Sequence, residues 1–455
     1  MSWRRLILPV IVSLKEKSVA QALADARACS QMSRDEMNAR QQKRLTALLR
    51  HAADFCPYYK EVLGKAGVVE KGSIRPDRFH QIPFLTKEEL RTRSEKLLAV
   101  GGFQGKPMRN TTGGSTGEPV VFWQDKRYIA TNIANKLFCL ERLGKRLGER
   151  EMKIWGSERD LFEGTIGWKA KAQFFLYNRR FENCFHLTQK RILDIFSSIQ
   201  SWRPDIIWGY VDALYVLANE ALRKQVQLPP PKAVICAAGT LHPSMKEVIT
   251  NAFGAPAIND YGSREMGSVC QECLHTAGLH LMPLTHLVEI IGADGTPADP
   301  GQEGEIVITS LTNYAMPFIR YRTGDRGCLS LTPCACGEAT PMLTSISGRI
   351  METFVSKCGD LVPPEYFIHL VGVVFNKGFI RRFQIVQEAD YSITLNLVIH
   401  PEHQSDALNK ALANIDEKIR LVMGQDCAVA HRFVDDIPCA ASGKYLYTVS
   451  KVVPL

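Results

Sequence analysis

Apolar side chains recur at helical spacing through residues 18–66, set among Arg, Lys and Glu as in RQQKRLTALLRHAADF. This pattern predicts helix, with Pro57 interrupting the run. In IPFLTKEELRTRSEKLL, Thr86 stands before Lys87, Glu88 and Glu89, an N-cap followed by an acidic first turn. From 111 to about 345 the rhythm changes. The short apolar runs MKIWG (152–156), DIIWGY (205–210), AVICAAG (233–239) and PAIND (256–260) predict buried strands. KRILDIFSSIQSW and SMKEVITNAF, between some of them, predict helices, and such alternation implies α/β architecture with parallel strands. EGEIVITSL (303–311) predicts a further strand, entered from a Pro/Gly-rich turn at 297–304. The last hundred residues differ again. FIRRFQIVQEADYSITLNLVIH (379–400) predicts two strands and a turn, and 404–423 a helix, together a separate small α+β domain whose junction falls near Ser347–Glu352. There is no internal repeat or low-complexity tract, and Pro229-Pro230-Pro231 reads as a surface loop.

Composition adds bounds. The 455 residues, 45% hydrophobic and 23% charged, describe a globular chain. At roughly 100–200 residues per domain, that is two or three domains. The formal charge of +9 comes with no nucleic-acid recognition motif and no long Lys/Arg block, so it predicts a solvated basic surface and no nucleic-acid partner. Thirteen scattered cysteines fit reduced thiols in a cytoplasmic protein better than a disulfide framework. MSWRRLILPVIVSLKEK superficially resembles a signal peptide, but Lys15, Glu16 and Lys17 end its apolar run. The run predicts a packed or interfacial helix, and no segment reaches the about 20 apolar residues of a transmembrane helix.

Several short segments carry candidate chemistry. TTGGSTGEP (Thr111 to Pro119) combines glycines, which let backbone N–H groups approach an anion, with small hydroxyl donors. It suits a triphosphate or pyrophosphate, although a flexible turn has the same composition. It is not a Walker A loop, since no Gly-Lys-Ser/Thr follows. NDYGSREMG (Asn259 to Gly267) offers an aromatic face and a hard carboxylate oxygen. YRTGDRG (321–327), SGRIMETF (347–354) and SGKYLY (442–447) follow in order. Cys270, Cys273, His275, His280, Cys334 and Cys336 exceed the four ligands of a closed tetrahedral zinc site, and ordinary thiols are the competing reading. No convincing Ser-His-Asp triad is present.

TTGGSTGEP resembles the phosphate loop of adenylate-forming ligases, close to SSGTTGxP, and the later segments resemble that family's further motifs in the same order. YGSREMGSVCQEC, GLHLM and CACG are most similar to the phenylacetate–CoA ligase-like branch. The resemblance implies a large N-terminal adenylation domain (1–347, helical to about 100) with parallel and mixed sheets, and a small mobile α+β lid (348–455). It implies that Thr111, Thr112, Gly113, Gly114, Ser115, Thr116 and Gly117 bind phosphate. Gly239, Asp260, Tyr261, Gly262 and Ser263 join them at the nucleotide, with Tyr261 against adenine. Asp325 would accept the ribose hydroxyls, Glu265 would support Mg²⁺, and Lys444 would stabilise charge on the α-phosphate and departing pyrophosphate. Gly348 and Arg349 match the hinge motif Gly-Arg-x-Asp-Asp, whereas Met351 and Glu352 stand where two Asp belong. Arg349 is carried over as a catalytic position. Trp155–Phe162 and Ala237–Leu241 would line the acid pocket. The branch's recurring elements map a structural zinc to Cys273, His280, Cys334 and Cys336, with Cys270 as the alternative to His280. The implied reaction uses ATP, Mg²⁺ and CoA to activate a small-molecule carboxylic acid, of aryl or arylacetic type, and pass it to CoA. An amide ligase with an amine or amino-sugar acceptor, in polysaccharide or secondary metabolism, shares the same motifs. So does a nucleotide-binding scaffold without turnover. A homodimer is compatible with all three.

Overall fold

A computed structural model of the chain describes residues 3–111, 120–156, 172, 174–275, 278–330, 332–347, 353–362, 364–374, 379–399, 406–437 and 446–452. The helical pattern of 18–66 resolves into Lys17–Cys29, Arg34–Phe55 and Pro57–Lys65. The first break has a local cause. Ser33 accepts the Glu36 N–H while the Glu36 carboxylate accepts from the Ser33 N–H, which starts a new helix. Pro57 occupies the first turn of the next helix, where its missing N–H costs nothing. Thr86 and Glu89 cap Lys87–Thr92 in the same reciprocal way, as the sequence predicts.

The described residues form two compact units. The first comprises the chain up to Thr111, Val120–Leu147 and Asn259–Ser347. Its sheet is antiparallel, in the order His286–Ile291, Glu303–Ser310, Tyr321–Leu329, Met342–Ser347, Leu279–Leu281, Gly267–Glu272, and then Ala257–Ser263, which enters the unit at Asn259. Leu45, Leu48 and Leu49 of the long helix Arg34–Phe55 are buried in one core with Ile306, Ile308 and Phe318. The segment before Thr86 is fastened to this sheet by Arg320. Its guanidinium donates to Glu289 through two bonds of 3.0 and 3.2 Å and to the carbonyls of His80 and Ile82 at 2.6 and 2.7 Å, with both side chains of the ion pair under a tenth exposed.

The second unit comprises the described residues of 148–258 and of the chain from 348 onward. Its first part contains parallel strands in the order Ala233–Ala237, Ile206–Tyr210, Glu151–Trp155, Arg179–Asn183. Ile206–Tyr210 and Ala233–Ala237 are buried at every position, as parallel strands covered on both faces must be. Gln189–Trp202 and Val211–Arg223 supply crossovers. The C-terminal part is a four-stranded sheet, ordered Val429–Phe433, Ile393–Ile399, Ile380–Gln387, Thr448–Ser450, with the helix Asp406–Met423. Leu187 and Leu361 exchange backbone hydrogen bonds of 3.0 and 3.3 Å, and the Phe185 and Tyr366 rings meet edge to face at 5.5 Å. One apolar core therefore runs through both parts of this unit. The α/β class and the paired strands of 379–400 match the sequence expectation. The strand Arg179–Asn183 does not appear in the apolar pattern.

Glu289→Ala is expected to destabilise the protein by about 3 kcal/mol, because it strands a buried guanidinium. Urea denaturation measures this, and a loss well under about 1 kcal/mol would show that the carbonyls alone satisfy Arg320.

Candidate nucleotide and metal sites

The strand Met108–Thr111 pairs antiparallel with Val121–Gln124, so Thr111 and Val121 face each other at the two ends of the predicted phosphate loop. Thr112, Gly113, Gly114, Ser115, Thr116 and Gly117 lie outside the described residues, as do Arg349 and Lys444. The flanking hairpin is tied to the Tyr261 segment by a residue to which the motif assigns no role. Arg264 donates from Nη1 to the Thr111 carbonyl at 3.2 Å, and Gln124 Nε2 donates to the Arg264 carbonyl at 2.9 Å.

Ala257–Ser263 turns directly into Gly267–Glu272. The turn is tight enough that a side chain on Gly262 would place its Cβ 2.2 Å from the Gly267 carbonyl oxygen. Gly267 itself has φ +72, a conformation that glycine adopts without strain, and a Cβ there would lie 2.4 Å from Asn132 Oδ1. Ser263 Oγ accepts the Met266 N–H at 3.1 Å and closes the turn. Its role is therefore at least partly structural.

This turn and the strand Tyr321–Leu329 bring three of the predicted nucleotide residues together. The Tyr261 hydroxyl donates to Asp325 Oδ2 at 2.9 Å, and the Asp325 N–H donates to Thr323 Oγ1 at 3.1 Å. Burial first, and then the Asp325 charge, push the Tyr261 hydroxyl well above its ordinary range, so it remains a proton donor. Glu265 is buried, and its Oε1 accepts from the Tyr321 hydroxyl at 3.2 Å, while Tyr128 donates to its backbone carbonyl at 3.1 Å. Asp260 accepts from the buried Gln271 Nε2 at 3.0 Å. Tyr321, Tyr128, Gln124 and Arg264 are the residues that sequence reasoning missed. Tyr321 begins the segment that ends in Gly-Asp, which was the one available signal.

Gly239 lies in the second unit, just after the strand Ala233–Ala237. Ala238 before it has a left-handed φ of +65. A Cβ on Gly239 would come 3.2 Å from Val211 Cβ and 3.3 Å from Asp212 Oδ2, so the chain passes close over the start of Val211–Arg223.

The four predicted metal ligands converge. The Sγ atoms of Cys273, Cys334 and Cys336 and a ring nitrogen of His280 all lie within 4.8 Å of one another. Cys273 and Cys334 Sγ are 3.6 Å apart, and Cys336 Sγ lies 3.5 Å from His280 Nε2. A disulfide would require about 2.05 Å. A tetrahedral ion with the usual zinc–sulfur distance of about 2.3 Å holds its ligands about 3.8 Å apart, so the donor set fits zinc. Cys270 is not part of it, and pairing register gives the reason. Gln271 stands opposite His280, whereas Cys270 stands opposite Tyr261, so strand alternation sends Cys270 to the other face. The surroundings orient the ligands. His280 Nδ1 lies 2.7 Å from Thr340 Oγ1, which leaves Nε2 toward Cys336. Glu338 lies 3.9 Å from Nδ1 and is itself gripped by Arg142 through bonds of 2.7 and 3.0 Å. Burial, assisted by Arg142, holds His280 down at about 4, so the ring is neutral at physiological pH, the form that binds metal. Burial pushes the Cys334 thiol up to about 12, and a bound cation would reverse that. No disulfide joins the described cysteines.

The chain is similar to several known proteins. The CapK C-terminal domain family matches residues 354–451. The phenylacetate–coenzyme A ligase of Thermus thermophilus is 25% identical over 407 residues, covering 84% of this chain and 90% of that protein. Protein CapK of Staphylococcus aureus is 22% identical over 402 residues, covering 87% and 85%. A crystal structure of 2-hydroxyisobutyryl-CoA ligase in complex with 2-HIB-AMP and CoA in the thioesterification state superposes with a TM-score of 0.59 at 18% identity, covering 92% of this chain and 91% of that one, and so shares the fold. With the ordered motifs and these relatives, the chain is similar to the phenylacetate–CoA ligase-like branch of the adenylate-forming ligases and shares their fold.

Proposed function

We propose that the protein activates a carboxylic acid with ATP to give acyl-AMP and pyrophosphate, and then transfers the acyl group to CoA with release of AMP. The observation that carries this reading is the arrangement of Tyr261, Asp325, Glu265 and Tyr321 in one small region of the first unit. Asp325 Oδ2 is held by Tyr261, and no protein donor among the described residues takes Oδ1. That oxygen is available to a ribose hydroxyl, which a carboxylate binds well. The hydrogen bond also fixes the Tyr261 ring as a base-stacking surface. Glu265 is held by Tyr321 through Oε1, which leaves Oε2 to support the Mg²⁺ that accompanies ATP. In the first half-reaction the substrate carboxylate oxygen attacks the α-phosphorus and the bond to pyrophosphate breaks. In the second, the CoA thiolate attacks the acyl carbon, and AMP leaves with that oxygen. The protein's part is positioning and charge stabilisation. Lys444 supplies the positive charge opposite the α-phosphate, by resemblance. An aryl or arylacetic acid is the favoured substrate, and relatives named phenylacetate–CoA ligases support that class. The proposed use of ATP and CoA supports a cytoplasmic location. Among the described residues no helix is long and apolar enough to cross a membrane.

We assign a structural zinc to Cys273, His280, Cys334 and Cys336. Four protein ligands close the tetrahedron, so the ion would fasten two loops of the first unit and leave no position for a reacting water.

ATP–pyrophosphate exchange with a panel of aryl, arylacetic and medium-chain acids tests the reaction, and CoA-dependent AMP release tests the acceptor. Exchange with at least one acid is expected, and AMP release without CoA but with an amine would move the acceptor to the amide-forming reading. Lys444→Ala should slow exchange about 10²–10³-fold with the fold intact. Wild-type exchange in this variant would remove the assignment.

Asp325→Ala should raise the KM for ATP by about tenfold or more, while Tyr261→Phe, which keeps the ring and loses the bond to Asp325, should raise it only a few-fold. Steady-state kinetics separate the two, and an unchanged KM in Asp325→Ala would place the ribose elsewhere.

Elemental analysis of protein purified without added metal should give one zinc per chain, lost together with thermal stability in Cys334→Ser. Metal-free protein of full stability would return these cysteines to ordinary thiols.

A further inference from the structure

The helix Arg4–Lys15 presents two faces of different character. Leu8 and Val12, one turn apart, are buried, and Val12 packs in one cluster with Leu23, Leu137 and Phe138. Trp3 and Ile7, also one turn apart, are each 45% exposed. The Arg4 guanidinium lies 4.8 Å over the Trp3 ring. Alongside runs a groove of about 720 Å³ whose walls include Val12, Leu23, Leu137 and Leu140, with Arg5 and Arg146 also lining it. The charge is uneven on a larger scale. Residues 1–50 hold ten Lys/Arg against four Asp/Glu, a net +6 of the chain's +9.

None of this is used by the nucleotide or metal sites. An exposed indole, an exposed aliphatic side chain and arginines on one short helix suit a lipid–water boundary, where the ring and alkyl group enter the acyl region and the guanidinium groups meet phosphates. A helix of 12 residues is about 18 Å long, against about 30 Å for a hydrocarbon core, so it can lie on a bilayer and not cross one. A nucleic acid would leave Trp3 and Ile7 without a purpose. A second copy of the chain docked through the same face would bring like charge against like.

We infer that the face bearing Trp3, Arg4 and Ile7 docks on an anionic phospholipid surface, so that the ligase works at the membrane. Apolar insertion supplies one part of the binding, and the basic first fifty residues supply the other. The inference is independent of the proposed reaction.

The test is co-sedimentation of the full chain with vesicles of phosphatidylcholine alone or mixed with phosphatidylglycerol. Binding is expected to the mixed vesicles only, weakening as salt rises. Arg4→Gln should weaken it about fivefold, at about one kcal/mol per charge near an anionic surface. Trp3→Ser with Ile7→Ser should weaken it about tenfold or more while melting temperature and ATP–pyrophosphate exchange stay at wild-type values. Absence of binding, equal binding to both vesicle types, or indifference both to Arg4→Gln and to the Trp3 and Ile7 substitutions would overturn the proposal. So would a lipid-independent dimer that the Trp3 and Ile7 substitutions abolish, since that would make the face a protein interface.

Discussion

A strand sends successive side chains to opposite faces of its sheet, and in Gly267–Glu272 that alternation sorts the chemistry of the first unit. Cys270 stands opposite Tyr261, and Gln271 stands opposite both Asp260 and His280. One face therefore carries the Tyr261 ring toward Asp325, and the other carries His280 toward the three thiols. The shift in register between Ser268 and Cys270 is what sets this phase, because the pair Ser268 and Gly262 is followed directly by Cys270 and Tyr261. A single-residue slip would exchange the two faces and take both sites apart. The glycines at 262 and 267 hold the turn that enforces the register, one by close approach to a carbonyl oxygen and the other by its left-handed backbone.

The side chains around the proposed nucleotide residues work in pairs. Tyr261 fixes Asp325, Tyr321 fixes Glu265, and Arg264 with Gln124 joins the turn to the hairpin at the phosphate loop. The first two pairings each use one oxygen of a carboxylate, and the proposed ligands would take the other. Preorganised acceptors of this kind need no rearrangement when charge arrives, which is the property that electrostatic catalysis requires. The proposed metal ligands follow the same logic one layer out, with Thr340, Glu338 and Arg142 orienting His280 from behind.

Much of this is legible in the chain, for identifiable reasons. Tyr261, Glu265 and Asp325 lie in short segments that resemble the family's motifs in their order, and that resemblance carries the signal. Their partners are not local. Gln124 meets Arg264 across 140 residues, and Tyr321 meets Glu265 across 56, and no periodicity marks such contacts. The choice between His280 and Cys270 depends on pairing register, which composition does not encode. Arg179–Asn183 escapes an apolar-pattern reading because it is the last strand in its order and reads RRFEN, the charged composition that outer strands tolerate. The Ser33 capping box, by contrast, stands in the sequence as Ser-x-x-Glu and divides a helical run that periodicity alone would leave continuous.

The account rests on formation of an acyl adenylate, and oxygen transfer tests that most directly. With a substrate acid whose carboxylate carries heavy oxygen, mass spectrometry of the products should find one labelled oxygen in AMP, because the carboxylate oxygen that attacks the α-phosphorus stays with it when the acyl group leaves. Label appearing in inorganic phosphate with ADP as the nucleotide product, or AMP released without label, would contradict the assignment of Tyr261, Glu265 and Asp325 to adenylation.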